Sequence, residues 1–301
     1  MKNIALYVAT VLIWGSTWLA IEFQLGEVDV EASVFYRFAI AAIIMWAYCF
    51  FAKIPMRFSK HDHGFILLLA LLNFSLNYTL LYYSQKFLSS AMTSIAFSTM
   101  LLMNIVNTRL FFGSKIAPRV YLGAVFGILG IVALFWEDLL SSANSDNSLA
   151  GLLLVIAGAL VASLGNMVSV RNSRNGMNVL AVNAWGMCYG SIALGLVVLL
   201  SDATFGFSTS PAYIGSLIYL AVFGTVIAFA VYYLLLSNIG PEKASYVIVL
   251  FPVVAVILSS AFEGFRWTSN TFIGFALVLL GNAILLTPTE KIGRLLKRHA
   301  T

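Results

Sequence analysis

The sequence predicts an all-α integral membrane protein of ten transmembrane helices, arranged as two inverted five-helix repeats with both termini cytoplasmic. Three observations predict it. Between Ile4 and Thr287, stretches of about twenty apolar residues alternate with short polar breaks about ten times. Composition is 61% hydrophobic and 10% charged with a mean hydropathy of +0.95, where a soluble domain carries about 25% charged residues. Basic residues also collect on alternate breaks. Inside hydrocarbon no water bonds to the backbone, so each apolar stretch must close its hydrogen bonds internally as a helix.

The first span, 4–22, follows Lys2 and runs uncharged for eighteen residues, from Ile4 to Ile21. It lacks a small-x-small cleavage site and similar spans follow, so it is expected to be retained rather than removed as a signal peptide. The second, 34–52, opens near Arg37. The third, 64–84, carries Asn73, Asn77, Tyr78 and Tyr82; the fourth, 90–112, carries Ser94, Ser98, Asn104, Asn107 and Thr108. The fifth, 119–136, is glycine-punctuated. In the sixth, 149–170, Gly151, Gly158 and Gly165 recur every seven residues and Asn166 follows. The seventh, 179–200, holds Gly186-x-x-x-Gly190, a small-residue contact motif. The eighth, 211–236, ends near Tyr232-Tyr233; the ninth, 243–263, carries Tyr246, Pro252 and Glu263; the tenth is 270–287. Ten such helices use roughly 200 residues, which leaves loops and a basic tail, 288–301, but no separate soluble domain.

Lys and Arg counts orient the spans. With the N-terminus inside, every basic residue except Arg37, Lys86 and Arg266 lies on the cytoplasmic side, 14 of 17. The net charge of +5 is therefore a topology signal and not a nucleic-acid footprint; the tail from Lys291 to Arg298 is also placed to touch anionic lipid. Cys49 and Cys188 lie in separate apolar stretches and give neither a disulfide framework nor a metal spacing. No cofactor motif or nucleotide-binding loop is present. Oligomeric state is not fixed by the sequence, and a monomer is compatible with it.

Self-similarity divides the chain. Gly123/Gly130 line up with Gly274/Gly281 at an offset of 151, and Tyr82-Tyr83 with Tyr232-Tyr233 at an offset of 150. These offsets suggest duplication of a five-span unit, about 1–140 and 149–287. Five is odd, so the second copy enters from the opposite face, as in secondary transporters that alternate access around a central site.

At the level of motifs, the chain resembles the EamA-type branch of the drug/metabolite transporter superfamily over nearly its whole length. The resemblance rests on Trp14-Gly15-Ser16-Thr17, on Arg37-Phe38, on the glycine pairs that close each repeat, and on Leu250 to Val256 followed by Glu263-Gly264. It implies a ten-helix inner-membrane carrier for small metabolites, most commonly amino acids or related compounds, and commonly an exporter. In that fold the first, third and fourth helices of each repeat line the cavity, while the fifth and tenth pack peripherally. The chain departs from the pattern in having Met100 near the place matching Pro252, Phe111 or Phe112 where a counterpart of Glu263 would stand, and Ala162 where tryptophan is usual.

Ionisable groups inside a membrane point to function because they are costly there. Glu22, Arg37 and Glu263 are expected at the outer ends of their spans and Arg109 near an inner end, with none near a midplane. Glu22 and Glu263 are candidate coupling or gating groups at the outer mouth, against the plainer reading of each as a solvated residue at a helix end. Pro252 frees a backbone carbonyl and bends its helix, a candidate hinge or a plain kink. Candidate substrate contacts are Trp14, Trp18, Asn77, Tyr78, Tyr82, Ser94, Ser98, Asn166 and Tyr246. Their competing assignment is helix packing, with aromatics at lipid and polar groups bonded between helices. Trp136 and Trp267 fit the interfacial belt.

The expected function is secondary transport of a small organic metabolite. The alternatives are a carrier for nucleosides, vitamins or cationic drugs, or an integral membrane enzyme, for which His61-Asp62-His63 is the one candidate cluster.

Overall fold

The structure, a computed structural model, describes residues 2–136, 145–239, 244 and 246–286. Among these it is entirely helical: α1 (Lys2–Glu22), α2 (Val30–Phe51), α3 (Lys60–Gln85), α4 (Ser90–Phe112), α5 (Arg119–Leu134), α6 (Ser145–Arg174), α7 (Val179–Leu200), α8 (211–239), α9 (Tyr246–Phe262) and α10 (Ser269–Leu286). Eight are long and apolar enough to cross a membrane, α8 over Pro211–Tyr232; α5 and α9 are shorter apolar helices.

Local chemistry fixes the ends. Ser59 accepts from the Asp62 amide to start α3, Ser89 from Met92 to start α4, and Asn178 from Leu180 and Ala181 to start α7. Ser210 caps α8 with Pro211 in its first turn, and Gly113 ends α4 in the left-handed conformation, φ +69°.

Packing relates the two halves. Exchanging α1–α5 with α6–α10 maps the main contacts between the halves onto one another: α1 with α9 matches α6 with α4, α1 with α8 matches α6 with α3, and α2 with α8 matches α7 with α3. The pairs α2–α7 and α5–α10 map onto themselves. A π-helical stretch occurs at the corresponding place in each half, Ala70–Leu76 in α3 and Tyr219–Ile227 in α8. Such wide turns are rare and concentrate at functional sites.

Glycines let the helices approach. A Cβ on Gly130 would lie 2.8 Å from the Gly274 carbonyl oxygen, and one on Gly281 2.7 Å from that of Gly123, so α5 and α10 meet backbone to backbone. In α7, Gly186 and Gly190 cradle Phe74 of α3; in α6, Gly151, Gly158 and Gly165 face Leu88, Leu81 and Asn73. These small-residue motifs pack helices of the same chain. Gly127, by contrast, faces open space.

In α4 the helix breaks at Ser98-Thr99 without a proline. The hydroxyls of Ser98 and Thr99 donate to the carbonyls of Ile95 and Ala96, at 2.6 and 2.8 Å, and compete with the regular ladder. This break falls two residues before Met100, the position matched to Pro252 of α9.

Candidate functional site

Three constellations lie between the halves. The first joins the ends of α4 and α9. Glu263, just past α9, accepts from the Ser90 backbone N–H at 3.2 Å, from Ser90 Oγ at 2.9 Å, and from Ser259 Oγ. A carboxylate at a helix N-terminus meets unpaired amides and the positive end of the helix dipole. Glu22, at the end of α1, is close enough for its charge to interact with that of Glu263, and its Oε2 is buried without a partner. Glu22, Gln85, Lys86, Asp29 and Thr204 line a cleft of about 540 Å³ at this end of the bundle. Beside it, Asp29 accepts from Thr204 N–H and Oγ1 at 2.8 and 3.0 Å, and Glu27 accepts from Ser208 at 2.7 Å. The Thr204 amide, then its hydroxyl, hold the Asp29 carboxyl below its ordinary value.

The second constellation is an amide cluster on α3, α4 and α6. Asn73 donates to Asn166 Oδ1 at 3.4 Å, and Asn166 donates to Asn104 Oδ1 at 3.2 Å. All three are half-buried. An amide facing hydrocarbon would cost several kcal/mol, so the open side of this cluster must be the wet side. Deeper, Asn107 donates to Ser163 at 2.9 Å.

The third is aromatic with one cation. Trp14 contacts Phe229 and Tyr232 of α8 at ring-centroid distances of 5.8 and 4.9 Å, and Ser16 bonds Tyr219 in the wide turn at 2.6 Å. Phe38 of α2 meets Phe74 and Tyr78 of α3 at 5.5 and 4.9 Å. The Arg37 guanidinium lies 4.5 Å from the Tyr78 ring centre.

Of the predicted contacts, the structure brings Asn166 together with Asn73 and Asn104, and places Trp14 and Tyr78 half-buried on the inner faces of α1 and α3. Trp18 is buried between Phe97 of α4 and Phe251 of α9. Ser94 and Ser98 are fully buried; Ser94 bonds back to Ala91, and Ser98 also accepts from Asn282 of α10 at 2.9 Å. Asn77 is buried with its Oδ1 unpaired, and Tyr82 donates to Gln24 at 2.7 Å. Pro252 is buried within α9, where Gly15 brings the backbone of α1 against Phe251 and Val254. Tyr246 opens α9, and its side chain lies outside the described residues.

One expectation is corrected. Arg37 lies inside its span and not at its outer end: α2 begins at Val30, and Arg37 is 1% exposed. It donates its Nε–H to Thr225, halfway along α8, at 3.3 Å. The Arg37-Phe38 pair was visible in the sequence; its burial was not, because hydropathy does not tell an inward arginine from one at the interface.

A model of the EamA-like transporter family matches residues 1–136 and, separately, 149–287. The chain is 25% identical over 278 residues to "Uncharacterized transporter YoaV" of Bacillus subtilis, covering 91% of this chain and 93% of the relative. It is 27% identical over 300 residues to "Uncharacterized inner membrane transporter YedA" of Escherichia coli K12, covering 94% and 92%. Protein PagO of Salmonella typhimurium is 20% identical over 276 residues, with 92% and 90% covered. A solved structure titled "Crystal structure of protein" superposes with a TM-score of 0.68 at 16% identity, over 94% of this chain and 96% of that one, and so shares the fold. With both halves of the helical bundle matched by the family model, the chain belongs to the EamA-like transporter family and is a multi-pass membrane transporter.

Proposed function

We propose that the chain is a secondary carrier that moves small organic metabolites, amino acids or related compounds, across the inner membrane by alternating access, in the direction of export. The observation that carries this reading is the exchange symmetry of the helix contacts. Two five-helix halves, each the length of one family match, pack so that the main contacts between them have counterparts under exchange of the halves. An odd number of spans per half inverts the second copy, and an inverted pair has two equivalent arrangements, one open to each side. The half-buried Asn73–Asn166–Asn104 cluster and the Trp14, Tyr78 and Tyr232 rings supply polar and aromatic contacts between the halves. Glu263 and Glu22 stand where α4, α9 and α1 end, and act as the gate of that face; Pro252 hinges α9. The inner-membrane location is supported by the name of the relative YedA. The distribution of Lys and Arg supports a cytoplasmic location for both termini.

The test is counterflow and uptake of a labelled amino-acid panel in proteoliposomes, with and without an imposed pH gradient. Saturable uptake of some members establishes carriage, and acceleration by the gradient establishes proton coupling. No saturable flux of amino acids, with flux of nucleosides, vitamins or cationic drugs instead, overturns the substrate class.

A further inference from the structure

Arg37 is a buried cation without a counter-charge. Among the described residues no carboxylate lies within ion-pair distance of it, the one ion pair there being Arg171–Asp62. Its Nη1 is buried without an acceptor, while Nε is committed to Thr225 and the Tyr78 ring covers one face at 4.5 Å. Retaining an arginine inside a helix bundle costs several kcal/mol unless it is paired. Guanidinium planes present parallel N–H donors that match a carboxylate fork.

The unpaired Nη1 does not stand alone. Tyr78, Tyr82 and Gln85 lie on one face of α3 at spacings of four and three residues. The Tyr82 hydroxyl donates to Gln24 Oε1 at 2.7 Å. Gln24 Nε2 and both amide atoms of Gln85 are buried without partners, and Gln85 lines the 540 Å³ cleft. Unsatisfied polar atoms thus occur on Gln85 at the cleft, on Gln24, which Tyr82 bonds, and on Arg37, which Tyr78 of the same α3 face covers. Buried polar atoms are nearly always bonded, and such a group of orphans calls for a ligand.

We propose that Arg37 binds the carboxylate of the transported metabolite, with Tyr78 beneath the ion pair and Gln24 and Gln85 on the approach. One guanidinium among neutral groups balances a single negative charge. That selects a carboxylate over a phosphomonoester, whose second negative charge would be left uncompensated; the ammonium of an amino acid would fall to neutral acceptors such as the unpaired Gln85 Oε1. The inference deepens the carrier reading and rests on it for the word "transported"; the binding site itself does not need it.

The experiment separates the two. The full-length protein in detergent is titrated with L-amino acids and short monocarboxylates, each against its own carboxamide, with the unfolding temperature as readout. The same pairs are then run in proteoliposome counterflow. The expected result is that at least one acid stabilises the protein and its amide binds at least about 10-fold more weakly, the loss of a charge-assisted contact. Arg37→Gln should abolish that preference, and Arg37→Lys should keep part of it.

Equal binding of acid and amide by the wild type, no binding of any acid, or a preference surviving in Arg37→Gln overturns the assignment. So does tighter binding of a phosphomonoester. If Arg37→Gln does not fold, the wild-type acid–amide comparison decides, and Tyr78→Leu, which leaves the cation in place, should weaken the acid without moving the amide. Saturable flux of amides together with acids leaves carriage standing and sinks the site. Binding of an acid without flux does the reverse.

Discussion

Replacing Glu263 by glutamine should loosen the join between α4 and α9. The carboxylate accepts two hydrogen bonds from Ser90 across the two halves. A hydrogen bond to a charged group contributes about 1.5–3 kcal/mol and a neutral one about 0.5–1.5 kcal/mol. Glutamine keeps an acceptor oxygen in the same place, so the substitution should cost about 1 kcal/mol per bond, or about 2 kcal/mol, a figure that already contains the effect of the helix dipole. Opening of this face then becomes about 30-fold more favourable. A reporter cysteine at Thr93, fully buried one turn below Ser90, measures it in a background with Cys49 and Cys188 replaced by alanine. Labelling by a membrane-impermeant thiol reagent should accelerate about 30-fold in Glu263→Gln. Glu22→Gln removes the like charge beside Glu263 and should slow labelling instead. Rates unchanged within threefold in folded Glu263→Gln protein would refute the idea that this carboxylate holds the halves together.

Asp29 should keep its grip on Thr204 throughout the neutral range. Its folded-state value is depressed below the ordinary 3.8 by the Thr204 amide and hydroxyl, so the stabilisation is complete above that value and is lost only as pH falls through the lower, folded one. Hydrogen exchange at the Thr204 amide, corrected for its intrinsic rate, should be flat from about pH 5 to 8 and faster in Asp29→Asn. At the α5–α10 contact, Gly274→Ala would set a Cβ 2.5 Å from the Leu134 amide nitrogen and should cost about 1–3 kcal/mol, seen as a lower unfolding temperature. Gly127→Ala on the partner helix α5, facing open space, should be neutral. Asn166→Ala strips partners from Asn73 and Asn104, a loss of about 1–2 kcal/mol. It should also raise KM in the flux assay; an unchanged KM would assign the cluster to packing.

The ten spans and most of their limits were legible because hydrocarbon imposes one solution on a long apolar segment. The structure adds the caps Ser59, Ser89, Asn178 and Ser210, and the first of them starts α3 before the predicted limit at 64. Direction within the bundle was not legible. Ser94 and Ser98 share a helix face, as cavity residues would, yet that face packs tightly and Ser98 turns to Asn282. The break in α4 carries no proline because two hydroxyls displace the ladder as a missing amide would. Glu263 drew attention as a charge at a span's end, but its partner Ser90 is 173 residues away, and no local pattern announces a cap supplied by another helix. Arg37 was misjudged for the same reason. Its nearness to the start of the predicted span, 34–52, fits an interfacial residue, and only the rings and hydroxyls of α3 and α8 reveal where it points.

The direct meeting of main chains along α5 and α10 has a consequence for movement. Where two helices touch through glycines, with only side chains such as Val278 and Leu285 reaching in, there is little to shear, compress or repack, so this seam should behave as an axle. Any rocking of the other eight helices must turn about it, and the axle tolerates neither added volume nor a change of angle. Sensitivity to mutation should therefore peak at two places of opposite character, the interior where solute passes and an outer edge that solute never reaches. An antibody or designed binder fixed to the α5–α10 edge should leave flux intact, whereas one bridging α4 and α9 should stop it.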